Sequence, residues 1–323
     1  MIIVYLLDQI SEKMFNFASQ KKLKNHMEKK TNMKMGSRLL LVLCLMGAGL
    51  VIASVLSILF IKQGLLSLLV VQDVFAFILP AIVAMAIFYY RPFRAMGLDR
   101  TPSWTSLFII VMFYIVSLPA MNWLVSLNEA MTLPSWMGGM ESWMRETEDA
   151  AAEATQRILD VNSVWMLIAT TFVVGFMAGL SEEMLFRGTI QRTMQDSRLN
   201  THVVVWIVAI IFSAFHLQFY GFVPRMVLGL WLGYLFLWSR NLWVPIIAHT
   251  LNNSTVVVFS YLTNKGFVPE GIADEVGIPA DGTLPWIAVA SIIASISVAV
   301  WASQALRRSQ TPPPLPQMAS EVS

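Results

Sequence analysis

The sequence predicts an all-α fold, a polytopic bundle of about eight transmembrane helices. Three observations carry this expectation. First, 56% of the 323 residues are hydrophobic and only 13% are Asp, Glu, Lys or Arg, against about 25% charged in a typical soluble domain. So few charges do not cover the surface of a soluble fold of this size, and the mean hydropathy of +0.64 agrees. Second, the chain is built from apolar runs of ~20 residues, the length that crosses a bilayer. Third, the Lys and Arg residues cluster in every second loop. The net charge of +2 is too small to imply a nucleic-acid partner. The single cysteine, Cys44, permits neither an intramolecular disulfide nor a cysteine-based zinc site.

The expected spans are, in order, Leu39 to Ile61; Val74 to Tyr90, with Pro80 inside it; Ser106 to Leu127; a fourth from Val164; Val203 to about Tyr220; Phe222 to Trp238; Leu242 to Leu262; and Pro285 to Leu306. The basic residues test this map. Lys21, Lys22, Lys24, Lys29, Lys30, Lys34 and Arg38 precede the first span; Arg91, Arg94 and Arg100, then Arg192 and Arg198, then Arg240, then Arg307 and Arg308 occupy alternate loops. Acids gather in two of the intervening loops, Glu141 to Glu153 and Glu270 to Asp281. Cytoplasmic loops are the basic ones, so the alternation predicts a multi-pass membrane protein with both termini cytoplasmic. The expected organisation is a basic cytoplasmic segment over 1–36, N-terminal spans and an outer loop over 37–162, a core of spans over 163–262, an outer loop and last span over 263–306, and a disordered cytoplasmic tail over 307–323. The apolar stretch Met1 to Leu7 precedes the basic cluster, the reverse of a secretory signal, and reads as a surface helix. Met27, Met33 and Met35 are alternative starts. In the outer loop, Trp136, Met140 and Trp143 suit an amphipathic interfacial piece, either a cap or a connector.

Charges inside the spans carry the chemistry, because each costs roughly 2.5–3.5 kcal/mol at mid-membrane on insertion scales. The fourth span holds Ser181-Glu182-Glu183-Met184-Leu185-Phe186-Arg187, the fifth Phe212-Ser213-Ala214-Phe215-His216, and the seventh His249-Thr250-Leu251-Asn252-Asn253. Adjacent helical residues point about 100 degrees apart, so Glu182 and Glu183 are expected to face different points. Glu183 and Arg187 have the i, i+4 spacing of an ion pair, acid first, which neutralises both charges and leaves Glu182 to face a cavity. His249 and Asn253 share a helix face, as do Phe212 and His216. Glu182 and His216 fall at one depth if the fourth and fifth spans form a hairpin about Asp196 to Thr201. His249 joins them only if that hairpin projects beyond the membrane by a turn or two.

A carboxylate, two imidazoles and an amide suit acyl hydrolysis by activated water. Glu182 takes a proton from water that His216 helps to hold, and His249 and Asn253 donate to the oxyanion. Glu182, His216 and His249 are alternatively zinc ligands, although the His-Glu-x-x-His signature is absent. Ser181 lacks the elbow motif of a serine nucleophile. A transporter is a further class, but the internal repeats such folds show are missing.

The motifs Glu-Glu-x-x-x-Arg at 182–187, Phe-x-x-x-His at 212–216 and His-x-x-x-Asn at 249–253, in that order on successive spans, resemble the CPBP family. These are the CAAX-processing and bacteriocin-processing intramembrane proteases, also called Abi. The stretch from Leu228-Gly229-Leu230-Trp231-Leu232-Gly233-Tyr234 to His249 is also similar, and the likeness covers about residues 163 to 262. The resemblance implies a glutamate-dependent intramembrane endopeptidase with no cofactor. In it Glu182 and His216 activate water, His249 and Asn253 stabilise the oxyanion, and Glu183, Arg187 and Phe212 support the site. The implied partners are a membrane-embedded or membrane-associated protein or peptide substrate and the bilayer, with no nucleic acid. The implied location is a bacterial inner membrane. A non-proteolytic immunity or regulatory protein of the same fold is the alternative.

Overall fold

The computed structural model describes residues 29–269, 271, 275–278 and 285–308. The expectations for Met1 to Leu7, Lys21, Lys22, Lys24, Met27, Glu270, Asp274, Asp281 and the tail from 311 fall outside the described residues. The fold is all-α, with helices α1 (Met35–Phe60), α2 (Leu65–Phe88), α3 (Pro92–Met96), α4 (Trp104–Glu129), α5 (Gly138–Leu159), α6 (Val164–Gln195), α7 (Thr201–Phe215), α8 (Phe222–Ser239), α9 (Trp243–Asn264) and α10 (Trp286–Arg308). Among the described residues the only extended pairing is a single bridge between Lys29 and Tyr89.

All eight expected spans are helices. Six of them, α1, α2, α4, α6, α8 and α10, are long and apolar enough to cross a membrane, and the chain is a multi-pass membrane protein. α7 is apolar but only 15 residues long. α9 has the length, but His249, Thr250, Asn252, Asn253 and Ser254 dilute its hydropathy. The helix starts follow local chemistry. Ser103, Ser163 and Asn200 each accept a hydrogen bond from a first-turn amide, of Ser106, Met166 and His202, capping α4, α6 and α7. Gly97 ends α3 at φ 85°, and a side chain there would stand 2.8 Å from the Arg240 carbonyl oxygen.

Three boundaries differ from expectation. α2 begins at Leu65 and so takes in Asp73. α7 stops at Phe215, short of Tyr220, because Leu217 adopts φ 54° and turns the chain away. The outer loop contains a continuous helix, α5, with no buried residue. It is stitched along its exposed side by Glu141–Arg145 and Glu153–Arg157 pairs at 2.7 and 2.6 Å. Its Trp143 ring packs 5.2 Å from Phe219, and Arg145 lies over the Tyr220 ring.

Two apolar clusters build the bundle. One joins α1, α2, α3, α6 and α7 around Phe88, Met96, Phe186 and Phe212; the other joins α4, α8, α9 and α10 around Ile109, Trp231, Leu235 and Leu306. α6 packs against α2, α7 and α9 and so sits centrally. Its Gly179 lies against Thr250 and Gly175 against Ser254 of α9; a Cβ at Gly179 would stand 3.0 Å from Thr250 Oγ1. These small residues let α6 and α9 approach closely. Gly229 and Gly233 of α8 do the same for α6 and α7. Their carbonyls accept from Arg187 Nη2 at 2.9 Å and Gln191 Nε2 at 3.0 Å. At 32 residues, α6 is about 48 Å long against a hydrocarbon core of about 30 Å. It is thus longer than an untilted span requires.

Candidate functional site

Glu182 and Glu183 lie in α6 where its α-helical stretch Ala178–Glu183 passes into a π-turned stretch, Met184–Gln191. Glu183 is fully buried. Its Oε1 accepts from Arg187 Nη1 at 2.6 Å and from His249 Nδ1 at 3.0 Å. Arg187, also fully buried, lies with its guanidinium 4.5 Å over the Phe212 ring. The pair is thus more than mutual neutralisation, since Glu183 also fixes the orientation and tautomer of His249.

Glu182 is 18% exposed, and its Oε2 stands 3.9 Å from His249 Nε2, too far for a direct hydrogen bond. Glu183 meets His249 at Nδ1, and Glu182 stands off the other ring nitrogen, Nε2. Both acids stand in the regular α-helical stretch Ala178–Glu183, and the imidazole spans the angle between them. Oε2 of Glu182 and Oε2 of Glu183 are both buried without a protein partner, as is Thr250 Oγ1. Buried carboxylate oxygens of this kind call for a donor from water or substrate.

His216 caps the end of α7, half-buried, instead of lying inside an apolar run. Its Nδ1 lies 2.9 Å from the Phe212 carbonyl oxygen. A carbonyl only accepts, so Nδ1 carries the hydrogen, and in the neutral ring Nε2 is left as an acceptor. The Phe212 ring sits between the two imidazoles, 5.1 Å from His216 and 5.9 Å from His249, edge-on to both. The loop after His216 is tied down from outside. Glu148 of α5 accepts from the Tyr220 amide at 3.2 Å, and Arg225 Nη2 donates to Gln218 Oε1 at 2.7 Å.

Glu182, Glu183, Arg187, Phe212, His216 and His249 thus form one cluster. Asn253, one turn beyond His249, turns its amide elsewhere: Nδ2 donates to the Val174 carbonyl at 3.2 Å, and Oδ1 accepts from Asn252 at 3.1 Å. It ties α9 to α6 while keeping one N–H unspent.

Asp73 is a residue that sequence reasoning missed. It is 7% exposed in α2, accepts from Ser181 Oγ at 2.8 Å, and lies near enough to feel the charges of Glu182 and His249. The available signal was a lone acid flanking the apolar run that starts at Val74. Among the described residues no three His, Cys, Asp or Glu side chains are grouped to hold a metal ion. Nδ1 of each histidine is engaged by the protein.

Acids and imidazoles thus meet inside a membrane bundle, and comparison with known proteins adds a family likeness. Residues 163–255 match the model of the family described as Rce1-like, type II CAAX prenyl endopeptidase Rce1-like. That segment contains all three motifs that resemble CPBP proteases. Two proteins of Bacillus subtilis (strain 168) are similar. One carries the name "Uncharacterized protein YpbD" and is 31% identical over 98 residues, 29% of this chain and 45% of that protein. The other carries the name "Putative membrane peptidase YdiL" and is 30% identical over 108 residues, 33% of this chain and 43% of that protein. The chain therefore spans less than half the length of either relative. No solved structure matches.

Proposed function

We propose that the chain is an intramembrane endopeptidase that hydrolyses peptide bonds of membrane-associated substrates with a glutamate-activated water. The observation that carries this reading is the Glu182 carboxylate, with a buried, unpartnered Oε2 set 3.9 Å from an imidazole that Glu183 holds in place. In the proposed reaction Glu182 takes one proton from water, which His216 positions through Nε2. The resulting hydroxide adds to the peptide carbonyl carbon. His249, protonated at both nitrogens, donates from Nε2 to the oxyanion, and Asn253 joins it once its amide turns from the Val174 carbonyl towards the site. Collapse breaks the C–N bond, and the departing amine takes the proton held by Glu182. Glu182 and Glu183 against Arg187 and protonated His249 make the cluster neutral, which suits its burial. The reading without a metal is supported by the described residues, among which no three His, Cys, Asp or Glu side chains are grouped to hold one.

The basic loops support a cytoplasmic location for both termini, and the membrane is proposed to be a bacterial inner membrane. The test is to incubate the purified chain with a membrane-protein fraction and identify new peptide ends by mass spectrometry. New ends should arise with the wild type, with and without a chelator, and vanish with Glu182→Gln and His249→Ala. Ends that persist in both variants refute the protease reading; loss on chelation refutes the metal-free mechanism.

A further inference from the structure

Outside the site, the strongest concentration of charge lies where α1, α2 and α6 end together on the basic face. Asp196, just past α6, faces Lys29 Nζ at 3.1 Å, Arg38 Nη1 at 3.5 Å and Arg192 Nη1 at 3.2 Å, and also accepts from the Tyr89 hydroxyl. Three cations against one carboxylate leave the cluster positive. Arg38 is only 4% exposed. Its other donors hold the segment before α1, Nε to the Met33 carbonyl at 3.2 Å and Nη2 to the Thr31 carbonyl at 3.0 Å. A guanidinium has five N–H groups, and these contacts use three.

A cavity of about 140 Å³ opens between Lys29, Met33, Arg38, Thr193, Asp196 and Ser197. One water occupies about 30 Å³ of liquid, so the space admits a group several times larger. Thr193 is 1% exposed and lines this cavity, yet its hydroxyl has no partner. A buried hydroxyl left unpaired costs about 1–3 kcal/mol, so the position favours an acceptor brought by a ligand. The cavity also touches Met35, and Leu40 and Leu43 of α1 are 61% and 58% exposed one to two turns further on. A ligand here therefore sits at the depth where lipid head groups meet chains.

We propose that this cavity binds a phosphate-bearing anion, with Lys29 and Arg38 meeting its charge and the Thr193 hydroxyl donating to a phosphate oxygen. Basic pockets between transmembrane helices are a recurring home for anionic head groups. The same phosphate chemistry is offered by free phosphate, and the experiment separates the two sources.

The full chain, purified in neutral detergent, is titrated with phosphatidylglycerol, with phosphatidylcholine and with inorganic phosphate, and its thermal unfolding midpoint is followed. Phosphatidylglycerol should raise the midpoint more than phosphatidylcholine. Protection by inorganic phosphate equal to that by the lipid would assign the source as free phosphate. Thr193→Val should unfold no earlier than wild type without ligand, because no protein bond is lost, yet bind about two- to tenfold more weakly. Lys29→Gln should bind about fivefold more weakly. Arg38 is not substituted, since its loss would release the segment before α1. The proposal is overturned if none of the three probes raises the midpoint, or if both variants respond to them as wild type does.

Discussion

Replacing Glu183 by Gln tests the electrostatic centre of the fold without relying on any assumed activity. The side chain keeps its shape, and its oxygen can still accept from Arg187. What changes is charge: the fully buried Arg187 loses the carboxylate 2.6 Å away, and the new amide nitrogen takes the place of an oxygen that already lacks a partner. Stranding one member of a buried pair costs about 3–5 kcal/mol. The guanidinium keeps the Gly229 carbonyl at 2.9 Å and the face of Phe212, the latter worth about 0.5–2 kcal/mol, so a loss of about 3 kcal/mol is expected. Arg187→Met strands Glu183 in turn, with His249 as partial compensation. The double variant removes both charges and should recover about 1–3 kcal/mol relative to the sum of the single losses. Reversible unfolding in mixed micelles, read by tryptophan fluorescence, supplies the three values. A Glu183→Gln variant within about 0.5 kcal/mol of wild type, or strictly additive losses, would refute the claim that this pair stabilises the bundle as a unit.

Glu182→Gln should lower peptide-bond cleavage by about 10²–10⁴-fold, the usual worth of a general base. It should leave the unfolding midpoint nearly unchanged, because Oε2 bonds nothing in the protein; a large loss of stability would make Glu182 structural. Asn253→Ala separates oxyanion donation from helix tethering: donation predicts a turnover loss of about 10²–10³, whereas tethering to Val174 alone predicts a stability loss of about 1 kcal/mol with turnover intact. Asp73→Asn keeps a partner for Ser181 and removes a buried carboxylate that makes no ion pair among the described residues. It should raise stability by about 1–3 kcal/mol, and a lower midpoint would count against a charged Asp73. Thr189→Val should cost about 1–3 kcal/mol by depriving the Met184 carbonyl of its 2.9 Å bond, with Thr189→Ser close to wild type in the same unfolding assay.

What could be read in the sequence was whatever helix periodicity or membrane depth encodes. Glu183 and Arg187 are four apart, and that spacing alone predicts their pairing. His216 and His249 stood out because polar groups in apolar runs are costly. Asp73 escaped because the run was taken to begin at Val74, one residue later, and a charge at the edge of a span carries no cost by itself. Its importance arises from Ser181, 108 residues away, which periodicity does not report. α5 escaped for another reason. Its length came from propensity and from the i, i+4 pairs Glu141–Arg145 and Glu153–Arg157, which carry the helix well past Trp136, Met140 and Trp143, where an interfacial piece was expected. The tight approach of α6 and α9 rests on Gly175, Gly179, Thr250 and Ser254, residues whose partners only the fold identifies.

The wide turns were least readable, and they sit where the chemistry is. α2 is π-turned over Asp73–Ile78, and α6 over Thr171–Met177 and Met184–Gln191. Each stretch contains or adjoins a residue of the cluster: Asp73 opens the first, Val174 in the second holds Asn253, and Glu183 precedes the third. An i→i+5 register has no compositional signature, so composition cannot announce it. It does have a cost, because carbonyls leave the regular ladder, and the Thr189 hydroxyl meets one of them at Met184, five residues back. It also has a use. The stretch that begins at Met184 carries Arg187, whose guanidinium meets Glu183 Oε1 at 2.6 Å. The two acids themselves stand in the regular stretch Ala178–Glu183, so it is the position of His249 on α9 that sets Glu183 at Nδ1 and leaves Glu182 3.9 Å from Nε2.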